Sequence, residues 1–288
     1  MTSLVDIRSR YTAPIKEVPT TKRAGLHRPI SAESGNLFTQ PTVGVDSAAT
    51  TQELIYEAIK RAIAAAKQSN GRSRPPAPTL WRLVFHFSGL YYLTHATPEL
   101  MYEAAQRFAS LESDYRDSDY RVLSEWAAQK IDEEKDHDRL AWRDIQSLGF
   151  NADAVVKTLV PPAAVALVDR FTQYVRDPNP IACVGYSLAV ECIALGITEK
   201  HIQEVEAELP PGIQARCLRV HSSVGSDVNH VKETIKMVTR LDPEKCARVV
   251  KACYETTLLC FSSPKEGYIS DEELRNKLEP LKIHNHVW

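Results

Sequence analysis

From Thr79 onward apolar residues recur at three- and four-residue spacing almost without interruption, the period of helices that bury one face. The pattern predicts helices over 80–94, from Thr97-Pro98-Glu99 to about Ser110 with proline in the first turn, and from near Asp117–Asp119 to Leu148, closed by Gly149. Further helices are expected at about 151–157, 161–176, 180–204, 211–240, 243–262 and 271–278. Ahead of them, Thr51–Lys67 reads as a helix capped by Thr50 or Thr51. The segment Asn70–Pro78 ends it as a linker. Residues 1–48 are rich in Pro, Thr, Ser and Gly without a period. They read as an extended or disordered arm, or as one that wraps the body or a partner subunit. Short connections between helices are those of antiparallel bundles. The fold class is therefore all-α: an N-terminal arm (1–48) and a single helical-bundle domain (49–288).

The stripe that should face the core of the central helix carries charge. At about 100° per residue, Leu123, Ala127, Ala141, Ile145 and Leu148 fall within about 40° of Glu134. His137 lies one turn from Glu134 on the same side, while Glu133 points roughly 100° away. Buried charge is expensive unless it is paired or binds a metal. Two readings are open for this pair: an ion pair at the core edge with Lys130 or Arg139, or a metal site.

Two further places repeat the motif. Glu191 is the one charge in the apolar run Ile181–Thr198. It is either protonated and hydrogen-bonded in the core or met by a cation from another helix. The run approaches the apolarity of a membrane span, but a charge at its middle favours a buried core helix. In His221-Ser-Ser-Val-Gly-Ser-Asp-Val-Asn-His230, Asp227 and His230 are again three apart. The surrounding serines and Asn229 equally suit a solvated polar face. Carboxylates and imidazoles projecting inward from several helices are what dinuclear metal sites in bundles require.

Composition narrows the field. A formal charge of −2 with no basic cluster gives no basis for binding nucleic acid or an anionic membrane. Only 11 glycines favour helix over strand. The six cysteines, none in a CxxC arrangement, read as reduced core thiols of a cytoplasmic protein. There is no GxGxxG, P-loop or GxSxG element.

Glu134-x2-His137 followed by Asp138–Gly149 resembles the second metal-bearing helix of the haem-oxygenase-like diiron oxidases. Gly185–Glu191 resembles their next ligand helix, and His221, Asp227 and His230 resemble the last. The resemblance spans about residues 80–262. It implies a haem-oxygenase-like bundle in which Glu134, His137, Glu191, His221, Asp227 and His230 bind two irons, or manganese. It also implies a carboxylate on the preceding helix, for which Glu103 is the first choice and Glu99 the reserve. One departure matters. The family pattern is His-x3-Asp-x2-His, whereas five residues separate His221 from Asp227 here. On a regular helix His221 and His230 would face opposite ways, so a π-bulge or break near Gly225 is required if His221 is a ligand.

The function implied is O2-dependent oxidation of a small metabolite, an amino acid or amine-bearing compound, by N-oxygenation, desaturation or C–C cleavage in a biosynthetic pathway. Tyr102, Tyr186 and His95 are candidates to line the substrate cavity, and a homodimer is compatible with the fold. Two other readings stand beside this one. The first is a metal-free enzyme of the same fold, of the thiamin-salvage or cofactor-maturation type, using the aromatic helix Trp81–Tyr92 as a flat-substrate pocket. The second is a non-enzymatic helical interaction protein. His86 reads as a core or pocket histidine, and His27, His201, His284 and His286 as surface residues.

Overall fold

The computed structural model describes residues 50–69, 79–225, 227–262 and 268–283. The arm, the linker at 70–78, and His27, His284 and His286 lie outside the described residues, as does the Asp227 side chain. The described residues form α1 (Thr51–Ser69), α2 (Leu80–Tyr115), α3 (Ser118–Glu134), α4 (His137–Ser147), α5 (Ala152–Thr158) and α6 (Pro162–Arg176). These are followed by α7 (Ala182–Ala194), α8 (Glu199–Ala207), α9 (Arg216–Val220), α10 (Asp227–Val238), α11 (Pro243–Phe261) and α12 (Asp271–Leu278). Among the described residues there is no strand, only one isolated bridge between Phe150 and Lys282.

Helix starts follow local chemistry. Thr50 and Glu53 cap α1 reciprocally: Thr50 N donates to Glu53 Oε2 at 2.7 Å and Glu53 N to Thr50 Oγ1 at 3.3 Å. Ile55, Ala58, Ile59, Ala62, Ile63 and Ala66 of α1 are buried, one helical stripe. Gly149, at φ +83°, ends α4 in the left-handed conformation that the C′ position favours.

The spine is α2. The sequence pattern divides it at Pro98, yet it runs unbroken for 36 residues, about 54 Å at 1.5 Å per residue. Its two halves serve two cores. The N-terminal half contributes Leu83, Val84 and Phe87 to a cluster with Ile145, Phe150, Val155, Val205 and Leu274. The C-terminal half contributes Met101, Ala104 and Phe108 to a larger one with Leu123, Phe171, Leu188 and Val249. Burying each such side chain is worth about 1.5–3 kcal/mol. Packing on both halves outweighs the one ladder bond that proline removes.

Three expected helices are broken instead. The 117–148 helix turns at Asp136, whose φ of +64° is the left-handed region that Asp tolerates. The 180–204 helix bends by 68° between α7 and α8, where Thr198 accepts from His201 N and starts a new cap. The 211–240 helix opens between α9 and α10. No single described helix is long and apolar enough to cross a membrane, although the bent pair α7–α8 passes on length and composition together.

Two contacts set the bundle's stability. A Cβ added at Gly185 on α7 would meet Val249 O of α11 at 2.3 Å and Ala252 Cβ at 2.7 Å, so this glycine sets the distance between the two helices. Gly185→Ala is expected to destabilise the fold by about 1–3 kcal/mol, read as a lower denaturant midpoint at unchanged slope. At the other end, Lys245 Nζ lies 2.6, 3.0 and 2.6 Å from Asp117, Asp119 and Asp242. Hydrogen bonds from Lys245 hold the Asp117 and Asp242 carboxyls below their usual range. Their contribution is complete above the ordinary carboxylate pKa, about 4, and is lost as pH falls through the lowered values. Lys245→Met is therefore expected to lower the thermal midpoint at pH 7 and to matter progressively less below about pH 4. A difference from wild type that stayed constant down that range would contradict the assignment.

Candidate metal centre

The three breaks bring the chemistry together. Glu134 is the last residue of α3 and His137 the first of α4, so the turn at Asp136 sets one against the other: His137 Nδ1 lies 3.0 Å from Glu134 Oε2. His221 follows α9 directly, and its ring meets that of His137 edge-on, with centroids 4.6 Å apart at 85°. One ligand atom from each of Glu134, His137 and His221 lies within 4.8 Å of the others. The required interruption lies between His221 and α10, with Gly225 packed so closely on Val220 O that a Cβ would lie 1.9 Å from it.

The His221 segment is fixed from several sides. Asp144 of α4, 1% exposed, accepts from Arg216 N at 3.2 Å and Cys217 N at 2.9 Å, holding the start of α9. Arg219 binds Glu206 of α8 at 2.6 Å and Glu199 at 3.2 Å. Ser223 donates from both N and Oγ to Ile197 O at 3.0 Å, tying the second break to the third.

Burial alone would push the Glu134 carboxyl up; the hydrogen bond to His137 and the neighbouring His221, His137 and Lys130 outweigh it and hold the group below its usual range. Beside it sits an ion-pair network, buried at Lys130 and Glu191 and part-buried at Glu133. Lys130, 2% exposed, places Nζ 2.6 Å from Glu133 Oε2 and 2.8 Å from Glu191 Oε1. Ser187 Oγ also donates to Glu191 Oε1 at 3.3 Å. Burial would lower the lysine's pKa, but Glu191 and Glu133 more than compensate and keep it an ammonium. Glu191 thus meets the cation from another helix that its lone burial requires. His230 Nδ1 stands 3.6 Å from Glu133 Oε2, on the outer side of the network.

Other expected residues lie elsewhere. Glu103 faces α6, where Arg176 Nε donates to both its oxygens at 3.2 Å, and Glu99 is exposed. The side of α2 nearest the cluster offers Thr94, Thr97 and Met101, not a carboxylate. His95, its side chain 64% exposed, pairs with Asp138 at 2.8 Å and stacks on Tyr91. Tyr102 is 56% exposed. Tyr186 does line the cavity, stacked on Phe171 with centroids 4.3 Å apart.

That cavity has a volume of about 470 Å³ and follows α2 from Arg82 to Met101. Leu90, Leu93, Leu167, Phe171, Val190 and Ile193 give it an apolar wall into which Glu134, Glu191 and His221 open. Arg82, His86 and His201 contribute polar groups from the N-terminal half of α2 and from α8. His201 is buried, contrary to its surface reading, because the bend before α8 turns it inward. His86 is solvent-accessible where it lines the cavity, near His201. Lys130, read from the sequence as a candidate ion-pair partner for Glu134 and His137, pairs instead with Glu133 and Glu191. It stands four before Glu134, within about 40° of it on the helix, so its inward position was available from the same count. All six cysteines are free thiols, and burial raises Cys192 and Cys260 to about 12, which leaves them unreactive.

No family model matches the chain, and no curated protein matches it. A solved structure does: the crystal structure of a domain of unknown function with a haem-oxygenase-like fold from Shewanella denitrificans OS217. The two are 17% identical, with a TM-score of 0.55 over 78% of this chain and 89% of the other. The likeness is one of fold: this chain is an all-α bundle of the haem-oxygenase-like type.

Proposed function

We propose that the chain is a non-haem, iron-dependent oxidoreductase that uses O2 to oxidise a small molecule held in the apolar cavity. One observation carries the reading: two imidazoles and a carboxylate, His137, His221 and Glu134, converge, and two of them, Glu134 and His221, open into that cavity. Two histidines and one carboxylate with open positions are the donor set of non-haem Fe(II) oxygenases, and manganese suits similar donors. Iron held there supplies the reactivity toward O2, which no side chain of this protein has.

The chain's own contribution is position and exclusion. The Glu134–His137 contact fixes the carboxylate and one ring, while Asp144, Arg219 and Ser223 fix the backbone that carries the other. The apolar wall favours a small metabolite, an amino acid or amine-bearing compound, with an apolar body. Arg82, His86 and His201 line the same cavity with groups that can hydrogen-bond a polar group on such a molecule. The alternative of a metal-free enzyme with a flat aromatic pocket is less well supported. Of Trp81–Tyr92 the cavity wall takes Arg82, Leu83, His86 and Leu90, while Trp81 packs edge-on against Phe150 and Tyr91 stacks on His95.

Anaerobic titration of the full chain with ferrous iron, then exposure to O2 while recording the visible spectrum, tests the proposal. Wild type is expected to bind iron and to change spectrum with O2. Glu134→Ala and His137→Ala should each weaken iron binding by more than about 100-fold, beyond the usual effect of an outer-sphere change. Glu103→Ala should leave it unaltered, since that carboxylate is occupied by Arg176. No iron binding by wild type, or unchanged binding by Glu134→Ala, would overturn the reading.

A further inference from the structure

Resting on that reading, we infer that the centre holds one metal ion per chain, and that the ammonium of Lys130 stands where a second cation would have to bind. Two carboxylates beside the Glu134–His137–His221 cluster are available to bridge or complete a second ion, Glu133 and Glu191. Lys130 Nζ sits between them, 2.6 Å from one and 2.8 Å from the other, with its side chain 3% exposed. Glu191 is also tied by Ser187, four residues earlier on α7. A second metal could recruit Glu191 only by displacing a buried ammonium and leaving it unpaired, a change that costs several kcal/mol for each ion so stranded.

Charge balance leads to the same count. Among the described side chains, Glu133, Glu134 and Glu191 bring three negative charges to the centre and Lys130 one positive charge. One divalent ion on the Glu134–His137–His221 cluster neutralises the group. A second would leave two uncompensated positive charges among buried side chains. The preceding helix does not redress this, because Glu103 is paired with Arg176 and the cavity-facing positions of α2 are threonine and methionine. Lys245 provides the precedent within this chain. There an ammonium fills a group of three aspartates whose oxygens are close enough to hold an ion.

The test is metal stoichiometry, read without turnover. The full-length apoprotein is dialysed anaerobically against excess ferrous iron and its bound iron counted. A parallel Mn(II) sample is examined by electron paramagnetic resonance. The inference expects one iron per chain and the hyperfine-resolved spectrum of an isolated Mn(II). Two irons per chain, or the exchange-broadened spectrum of a coupled pair, would overturn it while leaving the proposed function standing. No bound metal would remove both. In Lys130→Ala and Lys130→Gln, which release Glu133 and Glu191, bound iron is expected to rise from one toward two per chain. If both variants are folded by circular dichroism and still hold one, the lysine is not what excludes the second ion. If neither folds, the wild-type count and spectrum decide.

Discussion

The constraint on which the centre depends is the burial of Lys130, Glu133, Glu134 and Glu191 within one bundle. None of these groups is tolerable there alone. Lys130 compensates Glu133 and Glu191, and Glu134 is held by His137 with His221 beside it. The arrangement needs side chains from α3, α4, α7 and the segment after α9 to meet at one level. It therefore dictates where helices stop. The break at Asp136 sets His137 against Glu134, and the break after Val220 brings His221 to the same place. Ile197 O, in the remaining break, accepts both donors of Ser223 and fixes the two loops to each other.

This explains what the sequence made legible and what it did not. Helical class and the inward position of Glu134 follow from a 3.6-residue period, a local property. The same count shows that Glu191, alone in an apolar run, needs a cation from elsewhere, and Lys130 is 61 residues away in sequence. The break near Gly225 was legible from the spacing of His221 and His230, whereas those at Asp136 and before Thr198 were not, because each lies in a stretch whose helical spacing continues across it. In the structure Asp136 takes a left-handed conformation, and residues 221–225 close on Val220 and Ile197. Proline misled in the opposite sense, since α2 passes through Pro98 on the strength of packing on either side of it.

Among the expected site residues, distance from the centre tracks the kind of signal that suggested them. Glu134, His137 and His221 were chosen because their chemistry sits badly in a core stripe or in a motif, and they converge. Glu103 was chosen to complete a pattern, without a stripe to place it, and it faces Arg176. His95, Tyr102 and Tyr186 were chosen by residue type; His95 and Tyr102 are exposed, while Tyr186 lines the cavity.

The two buried lysines separate structural from chemical use of the same device. Lys245 lies among three aspartates at one end of the bundle, with no imidazole in the group, and its task ends with neutralising them. Lys130 pairs directly with two of the carboxylates near it, while the third, Glu134, is held mainly by His137 and His221, with Lys130 adding from further away. A fold that needed only to bury carboxylates could have used a lysine for each of them. In the proposed reading, Glu134 is left to two imidazoles beside an apolar chamber because the group it holds is a metal ion with further open positions, a role that a lysine cannot fill.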